Sequence, residues 1–376
     1  MNELKNLIKE EILKNGPITF SEYMHHALYN PLLGYYASGN VQIGKKGDFY
    51  TSPHVSSAFG EIIGEFIVKA FNSLEVPEFT ILELGAGIGA GKGYLAHDIL
   101  NFLVNHNKMY NLINYVIIDK GFTNNISDSL SQHEKKIKLF NDIRELKKPF
   151  CGIIISNEFF DSLPFHRIIY KNRNFKEIYV DFRNNEFREI LGEISDKEIL
   201  NYISRNELDL VESKQIEVSP LVETILREIN ELLLQGYILT IDYGYLSEEL
   251  FKNTKINGTF KCFFRHTVNE NPYINIGQQD ITYDVDFTNI IEIGNKIGID
   301  KIKYTTQGQF LVDWGILNII EREYKTLGKS NINSIKNLFM PGMMGNYFKV
   351  LLQSKNIQGA DTIYPKSNLT ISFGVN

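Results

Sequence analysis

An apolar run, Ile153, Ile154 and Ile155, leads straight into an amide and two carboxylates, Asn157, Glu158 and Asp161. Three isoleucines in a row fit a strand covered on both faces of a sheet. The polar trio then stands at the carboxyl end of that strand, the edge at which open α/β sheets bind ligands. Carboxylates there can grip a cation that offers several N–H donors or contact a cofactor. The alternative is that Asn157 and Asp161 only shape the turn ahead of Pro164.

A second constellation, Glu83-Leu84-Gly85-Ala86-Gly87-Ile88-Gly89, follows the strand-like TILEL and precedes the helix-like YLAHDILNFLVN. Glycines between a strand and a helix let a ligand reach the backbone amides and permit positive φ, and the helix N-terminus adds partial positive charge. A tight turn without a ligand is the bland alternative. The acidic residue discriminates between ligands: a dinucleotide would bring its pyrophosphate against Glu83, whereas S-adenosylmethionine presents an ammonium and a sulfonium, which a carboxylate attracts. Glu83, Gly85, Gly87 and Gly89 are therefore expected to serve S-adenosylmethionine.

Other acids fall at useful places. The strand NYVIID ends at Asp119, placed to accept both ribose hydroxyls. Asp142, in LFNDIREL, either accepts from an adenine amino group or caps the helix opened by Ile143. Asp48, Thr51 and Ser52 form a polar loop that closes over the methionine end or merely leads into a helix. Asp242, Tyr243 and Gly244 end another apolar strand facing the same cleft, or make a plain turn, and His266, Asp280 and Asp286 lie in a polar stretch that could reach it. The histidines have no spaced acidic or cysteine set, so no metal site is expected.

These residues need a frame. Thr80 to Asp119 reads strand, glycine loop, helix, strand, a βαβ unit that implies a parallel sheet with a right-handed crossover. Upstream, Phe59, Ile62, Ile63, Phe66, Ile67 and Ala70 keep helical spacing and read as core. Downstream, FHRIIYKN, KEIYVDF and EFREILG read as an antiparallel meander inserted into the α/β pattern. That pattern resumes with Ser219 as N-cap, Pro220 at the first helical position, a helix to about Leu234 with Gly236 at its end, and the strand YILTID. FTNIIEIGNKIG and GQFLVDWGILNIIEREY supply later helices, and NYFKVLLQS a late strand.

At 376 residues, with a hydrophobic share of 43% and a charged share of 22%, the chain has the balance of an ordinary globular protein. A net charge of −6 without a basic stripe argues against nucleic-acid binding. Two cysteines, Cys151 and Cys262, support neither a disulfide framework nor a cysteine metal site. The N-terminal stretch sets Leu4, Leu7, Ile8 and Ile12 beside Glu3, Glu10 and Glu11, and secretory signals and transit peptides avoid such acids. No apolar run approaches the roughly 20 residues that span a bilayer. A cytoplasmic protein without membrane insertion is expected; oligomeric state is left open.

The stretches ALYNPLLGYY, GDFYTSPHVSSAFGE, LELGAGIG, NEFFDSLP, LTIDYGY, GQQDITYDVDFT, TQGQFL and MGNYFKVL, in this order across residues 20–353, resemble the MidA-like class I methyltransferase family. That family includes a mitochondrial protein arginine methyltransferase that assists assembly of respiratory complex I. The resemblance implies S-adenosylmethionine at Gly85, Gly87 and Gly89, and arginine of a protein, a respiratory-complex subunit included, as acceptor; the alternatives are a small-molecule acceptor, or a cofactor-binding assembly protein with little turnover. Glu158 and Asp161 would then grip the guanidinium, with Asn157 beside them. Two departures stand out: His54 where the family has Glu in TSPE, and AGKG lengthening the glycine loop.

The expected fold is thus α/β, a class I methyltransferase Rossmann-like sheet with an N-terminal helical segment and an inserted antiparallel β-meander. Residues 1–75 form the N-terminal helical or cap segment. Residues 76–355 form the cofactor-binding domain, with the insertion at about 165–215 and a loop-rich region at 245–286, and 356–376 form a C-terminal tail.

Overall fold

The computed structural model describes residues 3–36, 51–87, 93–120, 128–206, 211–253, 256–327, 332–366 and 369. Strand β1 (Phe79–Leu84) shows why the chain builds layers: Phe79 and Ile81 enter one apolar cluster, and Leu82 and Leu84 enter another on the opposite face. The period of two sorts alternate side chains to opposite faces. Strands β2 (Ile113–Ile118), β3 (Ile137–Phe140), β4 (Phe150–Asn157) and β5 (Leu233–Tyr245) extend the sheet in parallel with β1. After β6 (Asp300–Thr306), β7 (Phe348–Lys355) runs antiparallel between β5 and β6, giving the order β3-β2-β1-β4-β5-β7-β6. From β1 the chain first builds outward to β3 and then returns to the other side of β1 as β4. The switch point between β1 and β4 is where such a sheet opens a crevice.

Helices cover both faces. On one side lie Ala58–Leu74 and Tyr94–Leu103, and on the other Leu221–Leu232 and Phe287–Lys296. The stripe from Phe59 to Ala70 is buried as its spacing requires. Gly60 and Gly64 face the second helix so closely that a Cβ on either would overlap Asp98 or Phe102.

The expected meander is present as His166–Lys171, Asn174–Arg183 and Glu186–Gly192, joined by Gln215–Val218 and by the short strand Ile18–Thr19. Helices Glu3–Asn15 and Phe20–Tyr29 pack on this sheet and on the region around Phe260 and Ile281, in one apolar cluster. The buried Arg167 is held there, with Phe20 and Phe260 at 5.0 and 4.6 Å from its guanidinium carbon. Residues 1–75 thus divide between two cores, because helix 58–74 carries a stripe matched to the large sheet while the earlier helices cover the insertion. Gly236 lies not at a helix end but inside β5, opposite Gly152 of β4, where a Cβ would strike the Gly152 carbonyl. The need for close strand contact, not a helix stop, explains that glycine.

Candidate active site

Gly85 follows β1 with φ 69° and donates its N–H to the Ile118 carbonyl at 2.9 Å, tying the loop to β2. A Cβ on Gly85 would sit 2.9 Å from the Phe159 ring. A glycine is thus what allows the loop after β1 and the acidic turn after β4 to meet. Gly87 also has positive φ, 61°. Both glycines, with Leu84, Ile118, Asp119, Asp142, Glu158 and Phe159, line a cavity of about 320 Å³ at the switch point. Gly89 and Asp48 lie outside the described residues.

Glu83, just before the loop, is 2% exposed and accepts a 2.6 Å hydrogen bond from the Tyr115 hydroxyl. Burial pushes its carboxyl up to about 7, opposed by the Tyr115 bond and assisted by the charge of Asp119. Asp119 is anchored by its N–H to the Phe140 carbonyl at 3.0 Å, which places it on the cavity wall. Asp142 also reaches the wall, but its carboxylate is gripped by Arg144, with Nε to Oδ1 at 2.7 Å and Nη2 to Oδ2 at 2.5 Å. It caps the turn with Glu145 in a reciprocal box, and the Arg144 hydrogen bond holds its carboxyl down at about 2. Of the two sequence alternatives for Asp142 the structure shows the cap, which with Arg144 consumes most of its accepting capacity.

The turn after β4 is built of acids. Glu158 has φ 54°, lines the cavity, accepts from Asn157 Nδ2 at 3.1 Å and receives the Ser52 N–H. Ser52 is fully buried and donates its hydroxyl to Gln307 Oε1 at 3.1 Å, so it braces Glu158 and is absent from the described cavity wall, as is Thr51. Among the described residues Asn157 Oδ1 is buried without a partner. Asp161, 3% exposed, lies among Asp242, Glu158 and Asp280. Burial first, then the Asp242 charge, pushes the Glu158 carboxyl well above the usual range; for Asp161 the order is burial, Asp242 and Glu158. Desolvated carboxylates crowded together hold protons until a cation compensates them. Among the described residues no three of His, Cys, Asp or Glu are arranged to hold a metal ion.

Tyr29 and Tyr36 complete the wall. The Tyr29 hydroxyl donates to the Ser162 carbonyl at 2.9 Å and the Tyr36 hydroxyl to Asp280 Oδ1 at 2.7 Å. Both belong to ALYNPLLGYY, one of the stretches that carries the family resemblance, yet their direction depended on how the N-terminal helix docks. Of the polar residues after β5, Asp280 joins the site. Asp286 instead caps helix 287–296 and holds Tyr202 and Ser247, and His266 is exposed between two short strands. His54 sits with Nδ1 2.5 Å from the Thr51 hydroxyl and its ring 4.8 Å from Tyr94; burial lowers its pKa to about 4.

Residues 62–305 match the model of a family described as "Putative S-adenosyl-L-methionine-dependent methyltransferase". The chain belongs to this methyltransferase family. Its fold is that of a Burkholderia thailandensis protein solved with S-adenosyl-homocysteine, 26% identical, with a TM-score of 0.83 over 95% of this chain and 92% of that one. Protein arginine methyltransferase NDUFAF7, mitochondrial, of Xenopus laevis is 27% identical over 93% of this chain and 83% of its own length. The human protein of the same name is also 27% identical, with the same coverage. The methyltransferase therefore uses S-adenosylmethionine, in accord with the cofactor expected from Glu83 and its glycines. The cytoplasmic expectation is corrected: relatives aligned over nearly the whole chain are named as mitochondrial, and the acidic helix on which it rested is a packed part of the fold. Among the described residues no helix is long and apolar enough to cross a membrane.

Proposed function

We propose that this methyltransferase modifies arginine side chains of proteins. The observation that carries the reading is the buried acidic turn, Glu158 with Asp161, Asp242 and Asp280 close by, opening through Glu158 onto the cofactor cavity. A guanidinium offers five N–H donors in a planar fork and a charge that compensates desolvated carboxylates. The arginine methyltransferase names of the relatives agree with it.

The cavity fits S-adenosylmethionine on its own chemistry. The backbone at Gly85 and Gly87 would cradle the methionine end, the Glu83 carboxylate, buried behind the cavity wall, would favour its ammonium through its charge, Asp119 would take the ribose hydroxyls, and the apolar Leu84, Ile118 and Ile143 would flank the adenine. The cofactor supplies a methyl group on a cationic sulfur. Everything else is positioning and charge. Glu158 holds one edge of the guanidinium so that a remaining nitrogen faces the methyl group, with Asp161 deepening the negative field behind it. A nitrogen that gains a methyl group must shed a proton, and Glu158, which lines the cavity, would take it.

Incubating the protein with methyl-labelled S-adenosylmethionine and a cell lysate, followed by mass spectrometry of the labelled peptides, tests this. Label on arginine supports the reading. Label confined to small molecules or to other residue types contradicts it. The family resemblance puts a respiratory-complex subunit among the acceptors to examine first.

A further inference from the structure

Asp242 is fully buried near the end of β5, and its carboxylate is surrounded by amides. Oδ2 accepts from the N–H groups of Phe159 (3.1 Å) and Phe160 (2.9 Å), Oδ1 from Tyr243 (2.9 Å), and the Asp161 N–H donates to it as well. The preceding amide, that of Glu158, is bound to the Ile241 carbonyl at 2.9 Å. Every amide from 158 to 161 is therefore fastened to two consecutive residues of β5, and the turn so held contains the left-handed Glu158.

We propose that Asp242 is a positioning residue for methyl transfer: seated in the amides of residues 159–161, it locks the turn that presents Glu158 to the cavity and keeps a buried carboxylate behind it. The proposal rests on the arginine reading, since a cationic acceptor is what would feel that charge. It is distinct from substrate contact, because the carboxylate oxygens are occupied by backbone donors.

Electrostatics agree with the geometry. Burial raises the Asp242 carboxyl to about 7 while its amide donors pull it back, because they favour its ionised form. Among the described residues, the titratable groups whose charges act on Glu158 are Asp161 from its own turn, Asp242 and Tyr243 from β5, and Asp280 from the short strand Asp280–Thr282. Asn157 and the Ser52 amide face it as neutral donors. All the titratable ones are acids or phenols, so nothing in that set cancels the Asp242 charge. A carboxyl beside a fixed anion keeps its proton to higher pH.

The test is Asp242→Asn in the full chain, which keeps the size and one accepting oxygen. S-adenosylhomocysteine affinity is read by calorimetry, and transfer of labelled methyl groups into lysate protein is read as a function of pH. The expected result is cofactor affinity within about threefold of native, transfer slower by about tenfold or more, and an acidic limb displaced to lower pH by roughly half a unit or more. An unmoved limb, or affinity lost in proportion to rate, overturns the proposal. Should the variant fail to fold, an infrared carboxyl titration of the native chain decides, with Glu158 assigned from Glu158→Gln. The Glu158 band must persist above the ordinary carboxylate range near 4, and ionisation within that range overturns it. If the native chain methylates no arginine, the acceptor reading fails first, and the Glu158 band compared between the native chain and Asp242→Asn still decides on Asp242, since the substitution must lower the pH at which that band disappears.

Discussion

The Tyr115 hydroxyl on β2 donates a 2.6 Å hydrogen bond to Glu83 Oε2 on β1, in a place where both side chains are buried. The pair makes a carboxylate tolerable directly before the glycine loop. Tyr115→Phe leaves that acceptor without its donor, which should cost about 1–3 kcal/mol of stability and make Glu83 harder to ionise. The melting temperature should fall, and S-adenosylhomocysteine should bind more weakly at neutral pH. An unchanged melt would return Tyr115 to simple packing.

Glu83 also predicts a pH dependence. Its folded carboxyl is raised to about 7, above the unfolded value of about 4.3, so the folded state holds the proton more tightly. The resulting stabilisation is fully present below about pH 4 and is lost as pH rises through about 7. A cofactor ammonium favours the ionised form. Calorimetry in buffers of different ionisation enthalpy should therefore show proton release on binding near pH 6, with affinity climbing several-fold from about pH 5.5 to 7.5. A pH-independent affinity would remove Glu83 from the cofactor site.

Gly85→Val places a branched side chain at φ 69° and against the Phe159 ring. Left-handed strain alone should cost about 1–2 kcal/mol, and binding of S-adenosylhomocysteine should vanish while the helices persist by circular dichroism. Retained affinity would mean that the cofactor does not approach this loop.

Asp119→Ala should weaken S-adenosylhomocysteine by about 1–3 kcal/mol, the usual cost of hydroxyls left without a charged acceptor. Since Asp119 is fixed through its backbone N–H to Phe140, the melt should stay close to native. A large drop in the melt with unchanged affinity would make its role structural.

What the sequence reveals of this site follows from the range of the interactions involved. Gly85, Asp119 and Glu158 stand at strand ends, and strand ends are legible from local apolar runs. The N-terminal helices read correctly as helices, but their docking against the turn after β4 is a contact across more than a hundred residues, so the directions of Tyr29 and Tyr36 were not legible. Asp242 read as lining the cleft, whereas its carboxylate faces the amides of the neighbouring turn, a relation fixed by strand order and not by local pattern. Ser52 read as a cover for the cofactor, whereas its N–H serves Glu158. Gly236 read as a helix stop because a glycine after an amphipathic run usually is one, and only the register with Gly152 shows otherwise.

Glu158→Gln bears most directly on the central claim, that the acidic turn serves the acceptor and not the cofactor. The amide keeps the size and removes the charge. Measured on one preparation, S-adenosylhomocysteine affinity should stay within a few-fold of native while methyl transfer to lysate protein falls by about a hundredfold, a usual cost of deleting one charge-stabilising group. Loss of cofactor affinity would place Glu158 in the methionine pocket, and undiminished transfer would reduce the turn to architecture; either result contradicts the account.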